Sequence, residues 1–154
     1  MKVRVAAVGR VKEAHWRAAC DEYLKRLRPY ATVEVVEVPD RDIAPDPVRA
    51  VTAEGADLLR AVPEGSYVIA LDLGAPGMTS ERLSAHLADL MVDGRSDVTF
   101  VIGGSAGLSD GVRARADERL SLSLMTLPHQ LARVVLLEQV YRAFRIMRNE
   151  PYHL

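Results

Sequence analysis

The chain has 154 residues, 49% hydrophobic and 27% charged, with a formal net charge of -1. That balance fits one globular core and excludes a protein that grips nucleic acid by bulk charge, because counterion release needs many clustered cations. No apolar run is long enough to span a bilayer, and the single cysteine, Cys20, excludes an intrachain disulfide and a cysteine-rich metal site. The expectation is one domain over 1–154, in a reducing cytoplasmic compartment, with no metal and no membrane.

Val3, Val5, Ala7 and Val8 alternate with polar residues up to Gly9, which predicts a first strand. Trp16, Ala19, Cys20, Tyr23, Leu24 and Leu27 recur at helical spacing and predict an amphipathic helix broken at Pro29, with Cys20 a buried structural thiol. Residues 33–38 form a second valine-rich strand, and 39–47 a polar, proline-rich loop. Asp46-Pro47 reads as an N-cap and N1 proline opening a helix through Val48, Val51, Leu58, Leu59 and Val62, in which Gly55 is a mild flaw. Residues 67–73 are a third, nearly continuous apolar strand. A helix starts at Ser80-Glu81 and closes at Gly94 as a C′ residue.

Residues 98–102 predict a buried strand that stops at Gly103-Gly104, where glycine permits a sharp turn and lets a ligand approach bare backbone. Ser109 caps a short helix over 112–119. Residues 120–127 predict a fifth strand, and about 131–147 a final helix. Five alternations of strand and helix mean a mostly parallel sheet with helices on both faces. Such sheets bind ligands at the carboxyl ends of their strands, so the loop after 102 and the end at 120–128 are expected to face one pocket. The final helix is apolar on more than one stripe, which points to a homodimer interface as its second surface. Charge is uneven: Lys2 to Arg28 is basic, 34–64 is acidic, and Arg133, Arg142, Arg145 and Arg148 make the last helix basic.

Residues 103–107, GGSAG, match the G-x-S-x-G nucleophile elbow between a strand and a helix, and Asp110 or Asp117 and then His129 follow in order. This is the rival reading, a small serine hydrolase using Ser105. The chain is short for that fold, lacks an HGGG-type oxyanion loop, and places both aspartates in the next helix. Neither a dinucleotide fingerprint nor a Walker A sequence occurs. His15, His86, His129 and His153 lack metal-ligand spacing; His15 and His86 read as solvated helix positions, and His129 as a junction residue, either a functional group or a structural cap. In the tail Pro151-Tyr152-His153-Leu154, an aromatic and an imidazole stand side by side, a pair suited to holding a base.

AVGR near the start, ALDLGAPGMTSE, IGGSAGLS, LSLSLMTLPHQLARVVLLEQVYRAF and the closing NEPYH together resemble one family over the whole chain. It is the ribosomal RNA large subunit methyltransferase H family, of the SPOUT class; residues 39–47 are the weakest match. The resemblance implies an α/β fold with a C-terminal trefoil knot, a homodimer, and S-adenosyl-L-methionine as methyl donor. It implies as target N3 of a pseudouridine in helix 69 of large-subunit rRNA, within the assembled ribosome. Carried over, the cofactor residues are Leu71 and Leu73, then Gly103 and Gly104, then Leu122, Ser123, Leu124, Met125, Thr126 and Leu127. The active-site set is His129, Arg142, Tyr152 and His153. The two histidines are candidates for the base, imidazole being the commonest general base, and Arg142 for stabilising charge on the base carbonyls. A non-catalytic ribosome-binding module is the third class of reading, and it would need no cofactor slot.

Overall fold

The structure, a computed structural model, describes residues 1–152. Strand β1 (Lys2–Val8) lies between β2 (Thr32–Val38) and β4 (Asp97–Ile102), and β3 (Tyr67–Leu71) and β5 (Glu118–Leu120) continue the sheet beyond β4. The order is β2-β1-β4-β3-β5 and every pairing is parallel. A strand inside a parallel sheet is covered on both faces and is therefore apolar at successive positions. In β1, Val3, Val5 and Ala7 face one layer, and Ala6 and Val8 the other. In β4, Val98, Phe100 and Ile102 oppose Val101 in the same way.

Helices α1 (Ala14–Leu27), α3 (Ser80–Val92) and α5 (His129–Met147) cover the first face; α2 (Pro47–Ala61) and α4 (Asp110–Arg115) cover the second. Side chains cap three of the starts: Asp46 accepts from the Arg49 N–H, Thr79 from Arg82 and Ser109 from Val112. Among the described residues no helix is long and apolar enough to cross a membrane.

Several local expectations shift. β3 ends at Leu71 rather than 73, and α5 begins at His129. The short helix α4 stops at Arg115, because Asp117 is drawn to the sheet edge: its carboxylate accepts the Val68 N–H and its own N–H donates to the Val68 carbonyl. β5 is three residues long, not the expected run over 120–127. Beyond Leu120 no strand is in register to pair with it, and serines fold the chain instead. Ser121 Oγ donates to the Ser123 carbonyl, and Ser123 Oγ accepts the Met125 N–H.

Gly55 is not a flaw. A Cβ there would lie 2.1 Å from Ser109 Oγ and 2.7 Å from Ser109 Cβ, so the crossing of α2 and α4 requires a bare Cα. The helix α5 packs between α1 and α3 against the sheet, and its Leu131, Val134 and Val135 stay only half-buried. Its arginines are engaged as well. Arg133 is buried, Arg142 pairs with Glu138, and Arg145 pairs with Glu150.

Candidate active site

The carboxyl ends of β3, β4 and β5 open on a cleft of about 770 Å³, within the range of small-molecule and cofactor pockets. Three loops and the first turn of α5 form its walls. Leu71, Leu73, Gly103, Gly104, Leu122, Ser123, Met125, Thr126 and Leu127 all line it, as expected positions for a cofactor. Leu124 does not; its side chain is fully exposed, turned out by the serine-held bends on either side of it. The walls are mainly apolar, with Ile102, Leu108 and Ala132 adding to the leucines, and loop backbone lies along one side. An adenine nucleoside fits such a slot, because its faces want apolar contact and its edges want backbone donors and acceptors.

The glycine pair has an internal reason that the sequence reading missed. A Cβ on Gly103 would lie 2.7 Å from the Gly107 carbonyl oxygen, and one on Gly104 would lie 3.1 Å from both Glu54 Oε1 and Val8 Cγ1. The loop folds back on itself here, with the Gly107 N–H donating to the Gly104 carbonyl and Gly107 at φ +89°. Any side chain at these positions would disturb the loop before it met a ligand.

The serine-hydrolase geometry is not assembled. Ser105 is exposed on the loop and makes no hydrogen bond to His129 among the described residues. Asp110 stands in solvent beside Arg113, and Asp117 is committed to Val68 and Arg115. Neither aspartate touches His129.

His129 begins α5 and borders the cleft, with Nε2 3.9 Å from where a Gly9 Cβ would sit. One turn on, Arg133 donates to Glu37 at 2.5 Å and to the Gly9 carbonyl at 3.0 Å, with its side chain only 4% exposed. Burial works against the Glu37 charge, yet the Arg133 and Val11 donors outweigh it and hold that carboxyl below the usual range. The pair thus fixes the turn after β1 beside His129. On the opposite wall Asp72 takes Arg113 at 2.9 Å and Arg119 at 3.4 Å, and the Arg113 pair stands at the rim of the cleft. Asp72, Arg113 and Ala132 were not anticipated. Asp72 had a readable signal, its place between Leu71 and Leu73; Arg113 and Ala132 are brought in by tertiary packing alone.

Arg142 and Tyr152 form a separate cluster. Arg142 Nε and Nη2 donate to Glu138 at 2.9 and 2.7 Å, the Tyr152 hydroxyl donates to the same carboxylate at 3.1 Å, and the guanidinium lies 4.6 Å from the Tyr152 ring centroid. Burial first, and then the Glu138 hydrogen bond, push the Tyr152 phenol up to about 12. Arg142 is about 20 Å along α5 from His129 at 1.5 Å per residue, and neither it nor Tyr152 lines the cleft. His153 lies outside the described residues. His15 is exposed as expected, but His86 is half-buried, bonded to Glu118 at 2.6 Å with its ring edge-on to Tyr67.

The family model described as "Predicted SPOUT methyltransferase" matches residues 1–153. Proteins named ribosomal RNA large subunit methyltransferase H are 47% identical in Ruminiclostridium cellulolyticum and 48% identical in Listeria monocytogenes, each over 99% of this chain and 99% of the relative. A solved structure of a probable methylase family protein from Haemophilus influenzae superposes with a TM-score of 0.60 at 12% identity, covering 99% of this chain and 70% of that one, a likeness of fold. The chain belongs to the SPOUT methyltransferases, in the ribosomal RNA large subunit methyltransferase H family.

Proposed function

We propose that this chain methylates N3 of a pseudouridine in helix 69 of large-subunit rRNA, using S-adenosyl-L-methionine, as a homodimer acting on the assembled ribosome in the cytoplasm. The observation that carries the reading is the near-complete match, at 47–48% identity, to relatives whose name specifies large-subunit ribosomal RNA methylation. The size and apolar walls of the cleft support a nucleoside-containing cofactor. The same reading takes the C-terminal part of the chain to be threaded as a trefoil knot.

When bound, the cofactor supplies a methyl group on a sulfonium for direct displacement, so the task of the protein is alignment. Leu71, Leu73, Leu122, Met125 and Leu127 would wall the cofactor, with backbone at Gly103, Gly104, Ser123 and Thr126 along one side; Leu124 is left out of that set by its exposure. His129 borders the cleft and His153 follows Tyr152 in sequence; either imidazole is a candidate to take the N–H proton of the target base. Tyr152, whose phenol keeps its proton to about 12, is not the base, and its part is to border the ring. Arg142 stabilises charge developing on the carbonyls.

Arg142 and Tyr152 do not reach the cleft of their own chain, so we place them at the cleft of a second copy. Deleting Tyr152 to Leu154 should abolish methylation while sparing cofactor binding and dimerisation. Mixed dimers of the deleted chain with an Ala132→Phe chain, whose cleft is filled, should recover about half the activity of a dimer, because one of two sites is whole. Full activity of the deleted chain makes the tail dispensable. Inactive mixed dimers mean that the tail serves its own chain.

A further inference from the structure

The mechanism leaves one buried carboxylate unused. Glu54, on α2, is 2% exposed, and its Oε1 has no hydrogen-bond partner. Its other oxygen accepts the Arg41 N–H at 3.0 Å. An orphaned carboxylate oxygen in a protein interior is costly, and a structural role as acceptor for the Arg41 N–H would be served as well by an amide. Oε1 lies 3.1 Å from the position of a Gly104 Cβ, and hence within about 5 Å of the Gly104 Cα, given the length of a carbon–carbon bond. Gly104 is itself a wall of the cleft. Gly104 therefore touches both the cleft and, having no side chain of its own, the carboxylate, with Val8 Cγ1 at the same 3.1 Å from that Cβ position.

A second acid stands beside it. Asp40 is close enough to Glu54 to act on its charge, and Asp40 Cβ lies 3.8 Å from where a Gly9 Cβ would be, at the carboxyl end of β1 next to β4. Arg41 offers Glu54 its backbone N–H, while its guanidinium is turned to Asp57 at 2.7 Å. Burial, followed by Asp40, pushes the Glu54 carboxyl up; the Arg41 N–H pulls the other way. A cation arriving in the cleft would favour the ionised form and supply the missing counter-charge.

We propose that Glu54, backed by Asp40, is a specificity-determining residue that makes the cleft prefer the positively charged sulfonium cofactor over its neutral thioether product. The proposal rests on the reading of the cleft as the S-adenosyl-L-methionine site. The two ligands share adenosine, amine and carboxylate, and differ by one methyl and one positive charge. A carboxylate behind Gly104 that ionises as the cation arrives, in a medium of lower dielectric than water, separates them on that difference. The same preference would help release the product after transfer.

The test is calorimetric titration of S-adenosyl-L-methionine and S-adenosyl-L-homocysteine into the wild-type chain and Glu54→Gln. Glutamine keeps the shape and the acceptor for the Arg41 N–H and removes the charge. The charged ligand should weaken about fivefold to tenfold, a tenfold loss being about 1.4 kcal/mol, while the neutral one holds within about twofold. Asp40→Asn, at an exposed loop position, should move the ratio the same way by a smaller factor, and decides the matter if Glu54→Gln does not fold. Equal loss for both ligands makes Glu54 a structural support and overturns the proposal, as does an unchanged ratio. If the wild type binds neither ligand, the cofactor reading fails and takes the proposal with it.

Discussion

Replacing Gly55 by alanine isolates the contact that sets α4, and with it the loop under the cleft. On helix propensity alone the change should stabilise α2 by about 1 kcal/mol. The packing says otherwise, because the new Cβ would sit 2.1 Å from Ser109 Oγ and 2.7 Å from Ser109 Cβ. Rotating the hydroxyl away removes the first clash but gives up the cap to the Val112 N–H at 3.2 Å, worth about 1 kcal/mol. The Cβ clash remains in either rotamer and costs about 1–3 kcal/mol as overpacking. The sum is a net loss of about 1–3 kcal/mol for Gly55→Ala. Ser109→Gly removes both obstructing atoms at a cost of a few tenths, since glycine is a tolerable N-cap. In that background Gly55→Ala should change sign and stabilise by up to about 1 kcal/mol. Urea unfolding of the four chains of this cycle measures it. A Gly55→Ala chain as stable as wild type, or a loss unchanged by Ser109→Gly, would refute the close crossing of α2 and α4.

Ala132→Phe puts a ring into the cleft from a helix without touching loop backbone, so cofactor affinity should fall at least about tenfold, roughly 1.4 kcal/mol, with melting little changed; wild-type affinity would mean that the ligand sits elsewhere. Arg133→Ala breaks a buried pair and orphans the Gly9 carbonyl. With Glu37 still partly solvated the cost is about 3 kcal/mol, read as a Tm lower by about 6–12 °C, and a loss below about 1 kcal/mol would make the pair incidental. Tyr152 carries a pH prediction. Its folded-state pKa of about 12 lies above the ordinary 10.0, so the fold holds the phenol proton more tightly than the unfolded chain does. Stability from this source is intact below about pH 10 and is lost as pH rises towards 12. Tyr152→Phe should flatten that part of the stability curve, and an unaltered curve would contradict the burial of the hydroxyl against Glu138.

The alternation of valines with turn glycines made the first four strands and both helix layers legible, since a β1 or β4 buried on two faces can hardly be written otherwise. The cleft was legible where the chain stops being periodic, at Leu71, Gly103 and the 121–128 segment. What misled were patterns whose meaning depends on partners. Leu120, Leu122 and Leu124 alternate like a strand, but β3 is too short to pair past Leu120, and serines bend the rest. The arginines of α5 suggested a basic face, and Glu37, Glu138 and Glu150 neutralise three of them. Glu54 gave no signal at all, because nothing in an acidic helix position announces that its oxygen will meet a glycine fifty residues away.

The central claim is tested most directly by transfer of a labelled methyl group from S-adenosyl-L-methionine to ribosomes lacking the modification, followed by digestion and identification of the labelled nucleoside. A free hairpin carrying the target pseudouridine is the comparison, because a chain of net charge -1 with most cations of its last helix paired should hold naked RNA weakly. The account predicts label on N3 of one pseudouridine of the large subunit, with ribosomes and not with the hairpin. Label on any other nucleoside, no label on ribosomes, or equal labelling of the hairpin would contradict it.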